Sequence, residues 1–198
     1  MTQSEFLKGV NDWNNHAPLL WLALEATKEK KMDVIEMGCG DGSTRQLHDY
    51  CKANQRALHS FDYDKEWLDK FSEYETPNHY FHYVDKRWEV AKEICPDPSV
   101  ILIDHSPGER RVVDIRAFCD IGGILVIHDT QPPPTAASYG FETIWKFFKY
   151  RVDLAPPVNP DPAPDGTLHN RTWASAVSNS YDVTKWKGMK FEPDYELK

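Results

Sequence analysis

Four short apolar runs, each stopped at its carboxyl end by a glycine, an acid or a His-Asp pair, constrain this chain more than any other feature. Val34-Ile35-Glu36-Met37 runs into Gly38, and Ala57-Leu58-His59-Ser60-Phe61 into Asp62. Ser99-Val100-Ile101-Leu102-Ile103 runs into Asp104, and Ile124-Leu125-Val126-Ile127 into His128-Asp129. Runs of this length suit strands, and strands buried on both faces lose the polar alternation of a half-exposed sheet. Helix-forming stretches separate them. Strand and helix alternating at short spacing predict a Rossmann-like, doubly wound α/β fold: a mostly parallel sheet with helices on both faces.

The remaining elements fit one domain over residues 1–198. Residues 1–30 read as an N-terminal helical cover, with Pro18 in the first turn of a helix. Ser43 and Asp64 read as caps of the helices that follow the first two strands. A third strand is expected over 79–84, helices over 88–94, 111–119 and 141–148, and closing strands over 150–154 and 171–178. Residues 155–170 are a Pro-rich loop, and the polar tail from about 185 is expected to be loosely held.

The formal net charge of −8 disfavours general nucleic-acid binding, because phosphate recognition is dominated by basic side chains. The four cysteines form no Cys-x-x-Cys pair, so the expectation is reduced, mostly buried thiols in a cytoplasmic protein. No apolar run approaches a bilayer span, and no membrane association is expected. The abundant tryptophans suggest a homodimer surface if they are exposed.

The turn after the first strand reads Glu36-Met37-Gly38-Cys39-Gly40-Asp41-Gly42-Ser43. Glycines let backbone approach a ligand closely, and the next helix points free N–H groups at the same place. Dinucleotide sites use Gly-x-Gly-x-x-Gly around a pyrophosphate. Here the spacing is Gly-x-Gly-x-Gly with an acid ahead of it, which suits a cationic ligand such as S-adenosylmethionine better than a phosphate. Asp62 follows Gly42 by 62 − 42 = 20 residues and can accept hydrogen bonds from ribose hydroxyls; Tyr63 follows it.

These segments resemble class I S-adenosylmethionine-dependent methyltransferases. Val34 to Thr44 looks like their first motif and Phe61-Asp62 like their ribose-binding acid; the resemblance covers roughly residues 16 to 150. It implies cofactor contacts from Glu36, Gly38, Cys39, Gly40, Gly42, Ser43, Asp62, Tyr63 and Asp104. Asp85 falls where the family often places an adenine contact. Lys86 or Trp88 would flank the ring there, although core packing explains Trp88 equally well.

Asp104-His105-Ser106-Pro107 after the fourth strand and Gly122-Gly123 through His128-Asp129-Thr130 at the fifth resemble a small-molecule subset of the family, related to catechol O-methyltransferases. In those relatives an Asp at each place and an Asn after the second bind magnesium. Asp104 and Asp129 match, but Thr130 replaces the Asn. A Mg2+ ion on Asp104 and Asp129, or a general base among His105 and His128, are the two routes to an activated acceptor. Structural roles in the turns remain the alternative for each. Asp104, His105, His128 and Asp129 are thus the candidate catalytic residues. Arg110 and Arg111 begin a helix, where cations are disfavoured, so they suit either an anionic substrate group or pairing with Glu109 or Asp114. Asn14, Asn15 and His16 suit a lid over the cofactor or a helix cap.

The leading expectation is methyl transfer from S-adenosylmethionine to a small-molecule hydroxyl. The alternatives are a non-catalytic cofactor-binding module, or a nicotinamide-dependent oxidoreductase on a similar sheet.

Overall fold

The computed structural model describes residues 1–8, 14–132, 139–155, 173–191 and 195–197. Its nine-stranded sheet has the order β3-β2-β1-β4-β5-β7-β6-β9-β8. The strands are β1 (Val34–Met37), β2 (Leu58–Asp62), β3 (His79–Tyr83), β4 (Val100–Ile103), β5 (Ile124–His128), β6 (Tyr150–Ala155), β7 (Ala174–Ser178), β8 (Lys190–Phe191) and β9 (Tyr195–Leu197). The first five are mutually parallel; β7 inserts antiparallel between β5 and β6. The helices are α1 (Gln3–Phe6), α2 (Ala17–Ala26), α3 (Thr44–Asn54), α4 (Lys65–Lys70), α5 (Val90–Ile94) and α6 (Arg111–Ala117).

The period of two divides each central strand between two cores. Val34, Val100, Leu102, Ile124 and Val126 pack on one face with Leu20 and Leu24 of α2 and Leu47 of α3. Ile35, Met37, Ile101, Ile103, Leu125 and Ile127 pack on the other with Trp88, Ile115 and Phe118. That two-sided burial is why these runs are continuously apolar. Phe6 of the short α1 is fully buried against Trp21 and Tyr50, which ties the N-terminus to the first core.

Several local expectations are corrected. Residues 141–148 form two 3-10 turns, Phe141–Thr143 and Trp145–Phe147, and no α-helix. Aromatic and β-branched side chains lose rotamer freedom in a helix, and here they serve the second core instead. The tail beyond residue 185 is tied in: β8 pairs with β9, and β9 with β6. Ser43 stands at the cap position of α3 but makes no capping bond, whereas Asp64 caps α4 through the N–H groups of Glu66 and Trp67. The cap position of α2 falls to His16 rather than to Asn14 or Asn15, and His16 makes no side-chain capping bond. No described tryptophan is among the exposed large hydrophobic residues, so the observation meant to support a homodimer surface is missing there. Most of the Pro-rich loop lies outside the described residues. Among those described, no helix is long and apolar enough to cross a membrane, and all four cysteines are unpaired.

Candidate active site

Register brings the site together. Met37 pairs with Phe61 on one side and Ile103 on the other, and Ile103 pairs with Ile127. The residues that follow, Gly38, Asp62, Asp104 and His128, therefore fall along one rim, at the carboxyl ends of the parallel strands. The chain crosses from β3 over to β4 beside β1, so this rim is also the place where strand order reverses and ligands bind.

Gly38 has φ +97°, and a Cβ there would stand 2.7 Å from the Asp104 carbonyl oxygen and the His105 Cα. Only glycine lets β4 pass so close to the turn. Gly42 is equally committed, because a Cβ there would meet the Asn14 side chain at 2.6 Å. Lys8, Asn14, His16, Gly40, Asp41, Gly42, Ser43, Gln46, Trp67 and Asp104 line a cleft of about 520 Å3.

Glu36 does not reach this cleft. It is fully buried, and it accepts hydrogen bonds from Ser43 (2.6 Å), Thr44 (3.0 Å) and Ser60 (2.6 Å). The expected ligand contact is replaced by an internal brace: Glu36 holds the start of α3 against β1 and β2. Thr44 extends the brace by accepting the Gly40 N–H at 2.8 Å. Burial pushes the Glu36 carboxyl up to about 7, against the three hydroxyls that favour its charge. A polar chain continues outward from Ser60 to His79 (2.9 Å) and His48 (3.1 Å). The sequence shows no pattern that announces this chain.

The Glu36 brace has a consequence for stability. A carboxyl whose folded pKa is raised binds its proton more tightly in the folded state. Its contribution is therefore complete below the unfolded value of 4.5 and is lost as pH rises through about 7, amounting to about 3 kcal/mol. Glu36→Gln removes that slope, since the amide can donate to Ser60 Oγ while Ser60 donates to His79. Denaturant unfolding of both proteins at pH 5 and pH 8 is expected to show the stability of wild type, relative to the variant, falling by about this amount. Parallel stability curves would refute the assignment.

Asp62 is 6% exposed, and its two oxygens clamp the turn by accepting the N–H groups of Cys39 (2.9 Å) and Asp64 (2.9 Å). Burial pushes its carboxyl upward, against the backbone N–H groups of Asp64, Cys39 and Tyr63. Tyr63 is half-buried, edge-on to Trp88 at 6.3 Å. Trp88 is buried and stacks on His105 with ring centroids 4.1 Å apart, so core packing accounts for it. Asp85 and Lys86 are exposed, in left-handed backbone, and Asp85 accepts a hydrogen bond from Tyr83. The Trp67 indole N–H donates to the Cys39 carbonyl oxygen, closing the turn from the α4 side.

The second constellation is only partly as expected. His105 faces the interior: its side chain is wholly buried, with Nε2 3.1 Å from Asp114. That removes it from the cleft. Asp129 adopts φ +60°, a left-handed conformation that Asp tolerates better than most residues, and its carboxylate pairs with Arg111 at 2.9 Å. Arg111 is 6% exposed and also binds Asp104 (3.0 Å) and the carbonyl oxygens of His105 (2.7 Å) and His128 (3.1 Å). It is an internal tie between the ends of β4 and β5. Arg110 pairs with Asp114 (3.1 Å) and Glu89 (2.9 Å). Neither arginine is set out to receive an anionic substrate.

Asp104 remains on the cleft. His128 Nδ1 lies 2.9 Å from its Oδ1, and His16 Nδ1 3.9 Å from its Oδ2. Burial alone would raise the Asp104 carboxyl, but His128, Arg111 and His16 hold it well below the ordinary carboxylate range. For His128, burial is outweighed by Asp104 and Asp129, and the imidazole is raised. His16 is pushed down to about 3, first by burial and then by His128. Its place in this cluster had no signal in the sequence beyond its position ahead of α2.

No protein-family model and no curated protein matches the chain. Solved structures do. The SAH-bound methyltransferase PaMTH1 of Podospora anserina superposes with TM-score 0.52 at 11% identity, over 89% of this chain and 85% of its own. A spermidine synthase in complex with the transition-state analogue AdoDATO gives TM-score 0.58 at 15% identity, over 89% of this chain and 63% of its own. Spermidine synthase from Thermotoga maritima gives 0.53 at 15% identity, over 79% and 56%. The chain spans less than two thirds of either synthase. Together with five parallel strands and an antiparallel β7 inserted before β6, this decides the architecture. The chain has the class I methyltransferase fold. In this methyltransferase fold, the glycine turn after β1 and the acids closing β2 and β4 share one rim, with Asn14 and His16 beside the turn.

Proposed function

We propose that the chain binds S-adenosylmethionine in the cleft beside the glycine turn and transfers its methyl group to the hydroxyl of a small molecule. The observation that carries this reading is the juxtaposition, in one cleft, of the Gly40–Gly42 backbone and the Asp104 carboxylate. Without Cβ atoms, Gly40 and Gly42 on the cleft wall suit close approach of the amino acid end of the cofactor. Asp62 retains acceptor capacity beyond the backbone N–H groups that it binds, and this suits a ribose hydroxyl. When bound, S-adenosylmethionine supplies an electrophilic methyl: the acceptor oxygen bonds to it, the carbon–sulfur electron pair returns to sulfur, and S-adenosylhomocysteine leaves.

The chain's own part is to orient the acceptor and draw off its proton. Asp104 is the carboxylate that both lines the cleft and contacts an imidazole, so the acceptor hydroxyl docks there and its proton leaves toward the Asp104–His128 pair. Asp129 and Arg111 act through position, by holding Asp104. The cleft volume and the net charge of −8 favour a small acceptor over a nucleic acid.

Calorimetric titration with S-adenosylhomocysteine, with NAD as control, tests the cofactor. Micromolar binding of the first and none of the second is expected; no binding of S-adenosylhomocysteine would refute the proposal. Asp62→Ala is expected to weaken that binding by about 1.5–3 kcal/mol, because a charged acceptor is lost. An unchanged affinity would remove Asp62 from the site.

A further inference from the structure

His16 is 1% exposed, and neither of its ring nitrogens has a hydrogen-bond partner among the described residues. An imidazole always carries at least one N–H, and burying it unpaired costs about 1–3 kcal/mol. A ring kept in that condition at the wall of a cleft is placed to bind something. It faces Asp104 Oδ2 at 3.9 Å and meets the His128 ring edge-on, with centroids 5.1 Å apart. Asp104 Oδ1 and His128 Nδ1 are 2.9 Å apart. One nitrogen or oxygen atom from each of the three residues lies within 4.8 Å of the others.

We propose that His16, Asp104 and His128 form a binding site for a divalent transition-metal ion, open on its cleft side. At metal–ligand distances of about 2.0–2.2 Å, neighbouring ligands stand about 3–4 Å apart, so a small closing movement completes the set. Two imidazoles and one carboxylate favour zinc, iron or cobalt; magnesium prefers an all-oxygen shell. Three protein ligands leave coordination positions for an acceptor oxygen. The site differs from the Asp104–Asp129 pair expected from the sequence, because Arg111 occupies the Asp129 carboxylate. Arg111 also takes Asp104 Oδ1, which leaves Oδ2 toward His16. The two carboxylates exceed the one guanidinium by one negative charge, which favours a cation. The site deepens the methyl-transfer reading and revises one part of it: with an ion bound, Asp104 and His128 serve as ligands, and the ion rather than that pair acidifies the coordinated hydroxyl. Ion binding itself does not depend on that reading.

The untagged full-length protein, stripped with a chelator, is titrated with Co2+, Zn2+ and Mg2+ by calorimetry, with the visible spectrum followed for Co2+. One Co2+ per chain is expected, with the absorption of mixed nitrogen and oxygen coordination, displaced by Zn2+ and not by Mg2+. His16→Ala is expected to weaken Co2+ by about 100-fold or more, since even residues that only orient ligands contribute 10–100-fold. That variant leaves no buried charge unpaired and is expected to fold; its circular dichroism checks this. Asp104→Asn is expected to act likewise, and His48→Ala, outside the cluster, to bind as wild type. No Co2+ binding, equal affinity for Mg2+, or unchanged affinity in folded His16→Ala would overturn the proposal. S-adenosylhomocysteine is titrated separately. Its binding without any metal binding overturns the metal site alone; metal binding without it overturns the methyl-transfer reading and leaves the metal site standing.

Discussion

Arg111→Met lowers the stability of the fold by about 3–5 kcal/mol, the usual cost of removing one partner from a buried ion pair. The guanidinium sits between Asp104 at 3.0 Å and Asp129 at 2.9 Å, and also serves two carbonyl oxygens at the ends of β4 and β5. Methionine fills much the same volume but donates no hydrogen bond. Two carboxylates would then share one rim without their cation, and two largely buried carbonyls would lose their donor. For a chain of 198 residues the loss corresponds to a fall in melting temperature of roughly 10 °C. Thermal unfolding at neutral pH measures it. A loss below about 1 kcal/mol would mean that water replaces the guanidinium and that Arg111 is not the tie between the two strands.

Asp104→Asn has the largest expected effect on activity: a fall in turnover of about 10²- to 10⁴-fold, the range associated with loss of a positioned acid–base group. The amide keeps the shape of the side chain and one acceptor oxygen, so the rim should hold. What it loses is the negative charge facing His16 and His128. The glycine turn and Asp62 are untouched, so S-adenosylhomocysteine affinity is expected to change less than about tenfold, within the modest worth of a single hydrogen bond. S-adenosylhomocysteine release with an accepted hydroxyl substrate, alongside calorimetry, separates the two effects. Full turnover in this variant would remove Asp104 from the chemistry. Asp129→Asn is expected to do less, because its carboxylate points at Arg111 and acts through that side chain.

The fold was legible because its central strands are buried on both faces, and two-sided burial writes itself into sequence as an unbroken apolar run. Val100 to Ile103 and Ile124 to Ile127 can hardly be anything else. The glycine turn was legible for a similar reason: Gly38 and Gly42 stand where backbone or a neighbouring side chain leaves no space for a Cβ. The acids closing β2 and β4 could be placed beside that turn because parallel strands deliver their carboxyl ends to one rim. The helix expected over 141–148 gives way to two 3-10 turns because aromatic residues spaced as in a helix also suit short turns packed on a core.

Direction and partnership of side chains were decided only by the tertiary structure. Glu36 stands two residues before the turn, as a ligand contact would, yet the pleat points it inward to Ser43, Thr44 and Ser60. His105 is next to Asp104 in the chain and on the opposite side of the backbone, against Trp88 and Asp114. Arg111 reads as a misplaced surface cation until both strand ends close around it. His16 joins Asp104 and His128 across 88 and 112 residues (104 − 16 and 128 − 16), a distance over which no local pattern carries information. Sequence periodicity records which side of an element meets the core. Which charges meet each other at the rim depends on how separate elements dock, and that is a property of the folded chain alone.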